Sequence, residues 1–206
     1  MKVIKFNQIY NHKNLEFKFL NAGHIPGSAM ILINLEGKKI LYTGDYKYVT
    51  TELMEGVDMS IQENFDSGDL KNIDVLITES TYGAKILPSR AVVEQQFLER
   101  VDQVIKNGAA LIPVFSVGRA QEILLVLGKR KWDVPIYFDG MSVKVTKSIL
   151  GRNPAFLNKR QKLGEMFNKQ AKQITKEKQR AKVMDQQAIF ITTSGMLQGG
   201  PVLSYL

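Results

Sequence analysis

NAGHIPGS (residues 21–28) and YTGDYK (residues 42–47) are the two ends of the stretch that decides the fold. His24 stands between Gly23 and Pro26-Gly27, where the chain must leave regular structure. Residues 29–35 are short and apolar, as a buried strand is, and Glu36-Gly37 reads as a tight hairpin turn. Residues 38–43 then read as the returning strand, with Asp45 just past its end. An imidazole at one strand's mouth and a carboxylate at the end of a nearby one meet at the same sheet edge. Nitrogen and oxygen donors so placed suit Zn²⁺ or a similar divalent ion. The same spacing also describes a plain loop histidine and a turn aspartate with no metal.

Working outward, Leu15, Phe17 and Phe19 alternate with Glu16 and Lys18, which predicts a half-buried strand leading into the His24 loop. His12 lies in a polar Asn-His-Lys-Asn turn and reads as a surface residue. The polar residues 50–69 give no clear pattern. Residues 73–78 are a compact β-branched run, with Glu79 at the carboxyl end before Ser80-Thr81-Tyr82-Gly83. Ligands are commonly met at that end of an α/β sheet. Glu79 is as well placed to cap the following turn.

The pattern changes at Pro88-Ser89, a helix start. Val92, Val93, Phe97, Val101, Val104 and Ile105 recur at helical spacing until Gly108. Strands are predicted at 109–115, 134–138 and 188–193, and helices at 119–127 and 141–150. This alternation implies a parallel sheet with right-handed crossovers. Residues 159–185 hold nine basic and three acidic side chains, with Leu163, Met166 and Phe167 as the strong apolar anchors early on. They read as a helical, exposed excursion. Residues 194–201 form a glycine-rich loop, and residues 202–206 look like the first turn of a helix. With no capping residue after it, the chain is expected to continue.

Composition narrows the class. The proportions, 44% hydrophobic and 23% charged, suit a globular protein with a real core. No apolar run reaches the roughly 20 residues a membrane-spanning helix needs. The amino terminus shows no signal-peptide pattern, and the absence of cysteine removes any disulfide framework, so the expected location is cytoplasmic. Net charge is +8, unevenly spread: residues 1–83 carry 8 basic and 11 acidic side chains, residues 84–206 carry 20 and 9. A polyanion is drawn to the second half, while the first keeps carboxylates for a cation. Basic residues that merely solvate a surface would give the same count.

NAGHIPGSAM (21–30), YTGDYK (42–47), ITESTYG (77–83), LIPVFSVGRAQEILLVL (111–127) and TTSGMLQGGP (192–201) occur here in one order. In that order they resemble the β-CASP branch of the metallo-β-lactamase superfamily. The likeness is to archaeal homologues of the endonuclease subunit of the mRNA 3′-end cleavage factor, and less closely to RNase J. It covers nearly the whole chain and implies a zinc-dependent ribonuclease fold acting on RNA. The implied fold is α/β: a partial metallo-β-lactamase αββα lobe over 1–83, then a β-CASP lobe with a parallel sheet over 84–206, incomplete at its end, with the RNA cleft between them.

The resemblance implies roles residue by residue. His24 matches a zinc-ligand histidine, Asp45 the carboxylate bridging two zinc ions, and Glu79 the acid that orients a ligand or the attacking water. The family site also needs an earlier His-x-His-x-Asp-His cluster and two later histidines, and this chain contains only His12 and His24. The 206 residues alone are therefore expected to hold zinc weakly. The missing motifs would come from further polypeptide, from a partner chain or from a homodimer, or else the chain is a natural truncation. Arg119, opening a helix after Gly118, could hold a phosphate, and Ser194-Gly195 could offer backbone amides to an anion. Each also reads as plain core or turn. Lys172, Lys176 and Lys178, in the basic run, would attract RNA without reading its sequence. That run lacks interleaved aromatics, so base stacking is not expected there. Two functions follow: a metal-dependent ribonuclease or its central piece, and a catalytically silent RNA-binding or scaffold subunit.

Overall fold

A computed structural model describes residues 3–57 and 70–206. The unplaced segment 50–69 falls mostly outside them, at 58–69. The chain forms two compact units, Met1–Lys85 with Pro154–Asn158, and Ile86–Asn153 with Lys159–Leu206.

In the first unit five strands follow in chain order: β1 (Ile9–His12), β2 (Leu15–Asn21), β3 (Ala29–Leu35), β4 (Lys38–Tyr42) and β5 (Val75–Ile77). Pairing is antiparallel from β1 to β4, and β5 joins β4 in parallel. His12 ends a strand rather than sitting within a turn, and it remains exposed. Leu35 pairs with Lys38 across the predicted hairpin, where Glu36 and Gly37 both have positive φ, 51° and 78°. That is the two-residue turn whose twist matches the strands. Leu20, Met30, Leu32 and Leu41 bury one face of the sheet against Ala22, Val57 and Leu70. Strand β5 is shorter than residues 73–78 promised. Its three side chains are all exposed, and it forms an edge of the described sheet.

Residues 154–158 complete this unit from far along the chain. Met54 bridges Leu157, the Asn158 amide donates to the Leu53 carbonyl at 2.7 Å, and the Glu55 amide donates to the Phe156 carbonyl at 2.9 Å. Phe156 meets Phe6 edge-to-face, with ring centroids 5.1 Å apart.

The second unit is built on four strands, β6 (Ala110–Pro113), β7 (Ile136–Asp139), β8 (Ala171–Ile174) and β9 (Ile189–Thr192). They pair in parallel in the order β6-β9-β7-β8. The central strands β7 and β9 are buried at every position, as parallel strands covered on both faces are. Helices α1 (Arg90–Ile105), α2 (Arg119–Leu127) and α3 (Met141–Arg152) alternate with them. α2 is nearly engulfed, with Leu124, Leu125 and Leu127 at most 1% exposed.

The basic excursion differs from its reading. It folds as helix α4 (Arg160–Glu165), a π-helical turn (Met166–Gln170), strand β8 and helix α5 (Glu177–Ala181). Leu163, Met166 and Phe167 are 0–1% exposed, and Phe167 packs edge-to-face on Phe138 at 5.7 Å. Burying three large apolar side chains contributes about 1.5–3 kcal/mol each. Lys172 lies on β8, an edge strand of the described sheet, and is exposed. The terminal segment closes as a 3₁₀ turn, Pro201–Tyr205, in place of an α-helical start.

Candidate functional site

Asn21 and Gly23 shape the His24 loop. Asn21 is buried; its Nδ2 donates to the carbonyls of Gly56 at 2.9 Å and Glu55 at 3.3 Å, and its Oδ1 accepts the Gly23 amide at 2.9 Å. Gly23 has φ +66°, and a Cβ there would lie 2.5 Å from the Lys47 carbonyl oxygen and 2.8 Å from the Val57 amide. Only glycine allows that approach, and it ties the His24 loop to the segment after Asp45. The Lys47 amide donates to the Ala22 carbonyl at 2.8 Å and closes the seam. Ser28 Oγ then accepts the amides of His24 and Ile25, both at 3.2 Å.

Glu79 approaches from β5. Its Oε1 accepts the Tyr46 amide at 3.3 Å and its Oε2 the Thr81 amide at 3.2 Å. The parallel pairing Tyr42↔Ile77 and the Thr43 amide on the Ile77 carbonyl at 3.0 Å bring the two strand ends level. The Thr81 hydroxyl, then the Tyr46 and Thr81 amides, hold the Glu79 carboxyl below the usual range, and the charge of nearby His24 lowers it further. His24, Asp45 and Glu79 thus stand on segments bound to one another at one sheet edge.

The side chains differ in freedom. His24 and Asp45 are exposed, whereas both Glu79 oxygens are engaged by backbone amides. Among the described residues no group of three or more His, Asp or Glu gathers as a metal site. His24 and Asp45 suit zinc in kind, an imidazole nitrogen and carboxylate oxygens, but not in number, since zinc takes four ligands.

In the second unit, Arg119 is exposed at the first turn of α2. Gln121 anchors that turn: its Oε1 accepts the Gly118 amide at 2.8 Å, and its Nε2 donates to the Ser116 carbonyl and to Thr146 Oγ1. Ser194 Oγ accepts the Met196 amide at 3.3 Å, leaving its own O–H to donate elsewhere. Gly195 lies against the backbone of Val114 and Phe115, where an added Cβ would be 3.1 Å away. Lys172 projects from β8 with its Nζ over the Tyr137 ring at 5.7 Å. Lys176 and Lys178 are exposed at the start of α5, where Gln179 Oε1 accepts the Lys176 amide at 3.1 Å.

Sequence reasoning missed Asp139 and counted Arg180 among the free cations. Asp139 is fully buried at the end of β7 and takes both Arg180 and the Tyr205 hydroxyl. An Asp-Gly at a strand's end was the only local signal.

The chain is similar to known proteins over most of its length. Residues 120–206 match the Beta-Casp domain. "Probable RNase MJ4" of Methanocaldococcus jannaschii is 44% identical across 98% of the chain, and "RNase J-like protein" of the same organism is 42% identical across 94%. The chain spans 47% and 46% of these two relatives, about half their length. A crystal structure of a protein of unknown function from Enterococcus faecalis V583 shares the fold at TM-score 0.57 and 13% identity, over 94% of this chain and 45% of its own. No described helix is long and apolar enough to cross a membrane.

Proposed function

Because the chain belongs to the β-CASP branch of the metallo-β-lactamase superfamily, an RNA-processing nuclease family, we propose that it is the central part of a zinc-dependent ribonuclease that hydrolyses RNA phosphodiesters in RNA processing or decay. The observation that carries the reading is the placement of Asp45 and Glu79 at the ends of paired strands, with Glu79 Oε1 on the Tyr46 amide at 3.3 Å. His24 and Asp45 would hold part of a two-ion site, completed by histidines from polypeptide outside these residues, from a partner chain or from a second copy. The chemistry supplied by zinc there is Lewis acidity toward a phosphodiester.

The chain's own groups have separate tasks. Glu79, tied down at both oxygens, keeps the Asp45 segment in place and sets a negative charge beside His24, orienting the imidazole. Arg119 and the Ser194-Gly195 turn would hold phosphate oxygens. Lys172, Lys176 and Lys178 draw the RNA in by long-range attraction. The setting is the cytoplasm.

A second reading, a catalytically silent RNA-binding or scaffold subunit, is favoured by the small donor set. The test is single-turnover cleavage of end-labelled RNA at saturating zinc, by the chain alone and by the chain joined to polypeptide bearing the His-x-His-x-Asp-His and later histidine motifs. Cleavage by the joined form, lost in Asp45→Ala, upholds the nuclease. A joined form that binds zinc and RNA yet never cuts is the scaffold.

A further inference from the structure

Three loops leave the carboxyl edge of the second unit's sheet side by side, after β6, β9 and β7. The register sets Pro113 beside Thr192 and Phe138 beside Ile191, so the loops start level. Adjacent strands lie about 4.8 Å apart, which places all three loops within roughly 10 Å at their roots. They are also interlocked. Gly195 rests on the Val114–Phe115 backbone, a Cβ on Gly140 would come within 3.0 Å of the Pro201 ring, and the Ala120 amide holds the Phe115 carbonyl at 3.1 Å.

From this pinned backbone five large apolar side chains face solvent: Phe115 (57% exposed), Val117 (38%), Met141 (55%), Met196 (60%) and Leu197 (45%). A soluble protein seldom gathers so much apolar surface on a rigid frame without a partner for it. The charge around it indicates which partner. Residues 114–119, 140–144 and 193–201 contain no acidic side chain, and they contribute Arg119 and Lys144. The acid beside them, Asp139, is buried and paired. The rim is thus apolar, aromatic and cationic. Unpaired bases present flat apolar faces and carry their charge as phosphate, the complementary arrangement.

We propose that this rim is a nucleobase-stacking platform for single-stranded RNA, with the Phe115 ring as the stacking surface and Met141 and Met196 flanking it. The proposal rests on the RNA reading above but needs neither zinc nor cleavage. It also differs from the basic excursion, which supplies charge without aromatic rings.

The test uses the full 206-residue chain in chelator, with fluorescence anisotropy of an oligoadenylate of about ten nucleotides and an abasic ribose-phosphate oligomer of equal length and charge. Phe115→Ala should weaken the oligoadenylate about tenfold, leave the abasic oligomer unchanged, and be rescued by Phe115→Tyr. Should Phe115→Ala melt early, Phe115→Trp in a Trp132→Phe background reads the contact directly: oligoadenylate must quench its emission and the abasic oligomer must not. Equal loss for both oligomers, or loss for neither, overturns the proposal. So does a Phe115→Ala protein whose sedimentation changes while its RNA affinity does not, which would make the rim a protein contact. A wild-type chain that binds neither oligomer overturns the RNA reading itself, a result distinguishable from the others.

Discussion

Asp139 and Arg180 form a two-pronged ion pair inside the second unit, Nε to Oδ2 at 2.7 Å and Nη2 to Oδ1 at 3.1 Å, with the carboxylate wholly shielded from water. Arg180 is itself only 11% exposed, so the pair is not a surface bridge. It commits one cation of the basic run to the interior. Arg180→Met should therefore destabilise the unit by about 3–5 kcal/mol, because it strands a buried charge. The double variant Asp139→Leu/Arg180→Met should recover most of that loss. Urea unfolding of both variants checks the pair; equal stability of single variant and wild type would refute it.

Tyr205 donates to the same carboxylate at 2.9 Å. Burial first, and then the Asp139 charge, push its hydroxyl above the ordinary 10.0, with Arg180 opposing. A raised value in the fold means that stability is complete below the unfolded value and is lost as pH rises past it. Unfolding titrated from neutral pH to above about 10 should show that alkaline loss. Tyr205→Phe should remove Tyr205's share of it, while costing about 1 kcal/mol at neutral pH. An identical alkaline slope in the variant counts against the linkage.

On the nuclease reading proposed above, Asp45→Ala in a form joined to the remaining histidine motifs should abolish cleavage and leave RNA affinity intact, because the lysines and arginines of the second unit are untouched. Glu79→Gln keeps the shape of the side chain and loses its charge, so a drop of about 10–100-fold is expected. Single-turnover rates and RNA affinities at saturating zinc, measured on both variants, decide it. A fully active Asp45→Ala enzyme removes Asp45 from the site.

Zinc retention tests the size of the ligand set. With one imidazole and one exposed carboxylate at the His24–Asp45 edge, residues 1–206 should lose zinc on dialysis. Elemental analysis of the dialysed chain is the measurement, and two equivalents retained would mean that the ligand set is complete without further histidines.

RNA affinity should fall steeply with salt and depend little on sequence. Replacing Lys172, Lys176 and Lys178 by glutamate should weaken binding and flatten the salt slope, with the melting temperature little changed, since all three are exposed. Binding isotherms across a salt series are the check; an unchanged slope makes these lysines a solvated surface only.

What the sequence revealed follows the range of the interactions. The Glu36-Gly37 hairpin was legible because two adjacent residues specify it, and helix α2 because its apolar face recurs every turn. The return of the chain from the His24 loop to the Asp45 segment was legible too, since one hairpin makes it. The seam between that loop and the segment after Asp45 was not: Gly23 is held against Lys47 and Val57 through space, and a lone glycine carries no record of what it touches. Strand β8 was hidden because Ala-Lys-Gln-Ile gives four residues of pattern, with a lysine on the open edge. Asp139 finds Arg180 41 residues on and Tyr205 66 residues on, and no local period encodes such a meeting.

The return of residues 154–158 to the first unit bears on the order of folding. Asn158 Nδ2 reaches the Thr51 carbonyl across 107 residues of chain. At about 5–20 residues per second of synthesis, the segment near Thr51 waits roughly 5–20 s for this partner. All the polypeptide of α1, α2 and α3 is made in that interval. A chain ending at residue 85 would lack Phe156 and Asn158, and with them the contacts to Phe6, Leu53 and Thr51. The first unit is thus completed only after the polypeptide of α1, α2 and α3 has been made, while β8 and β9 of the second unit follow later still.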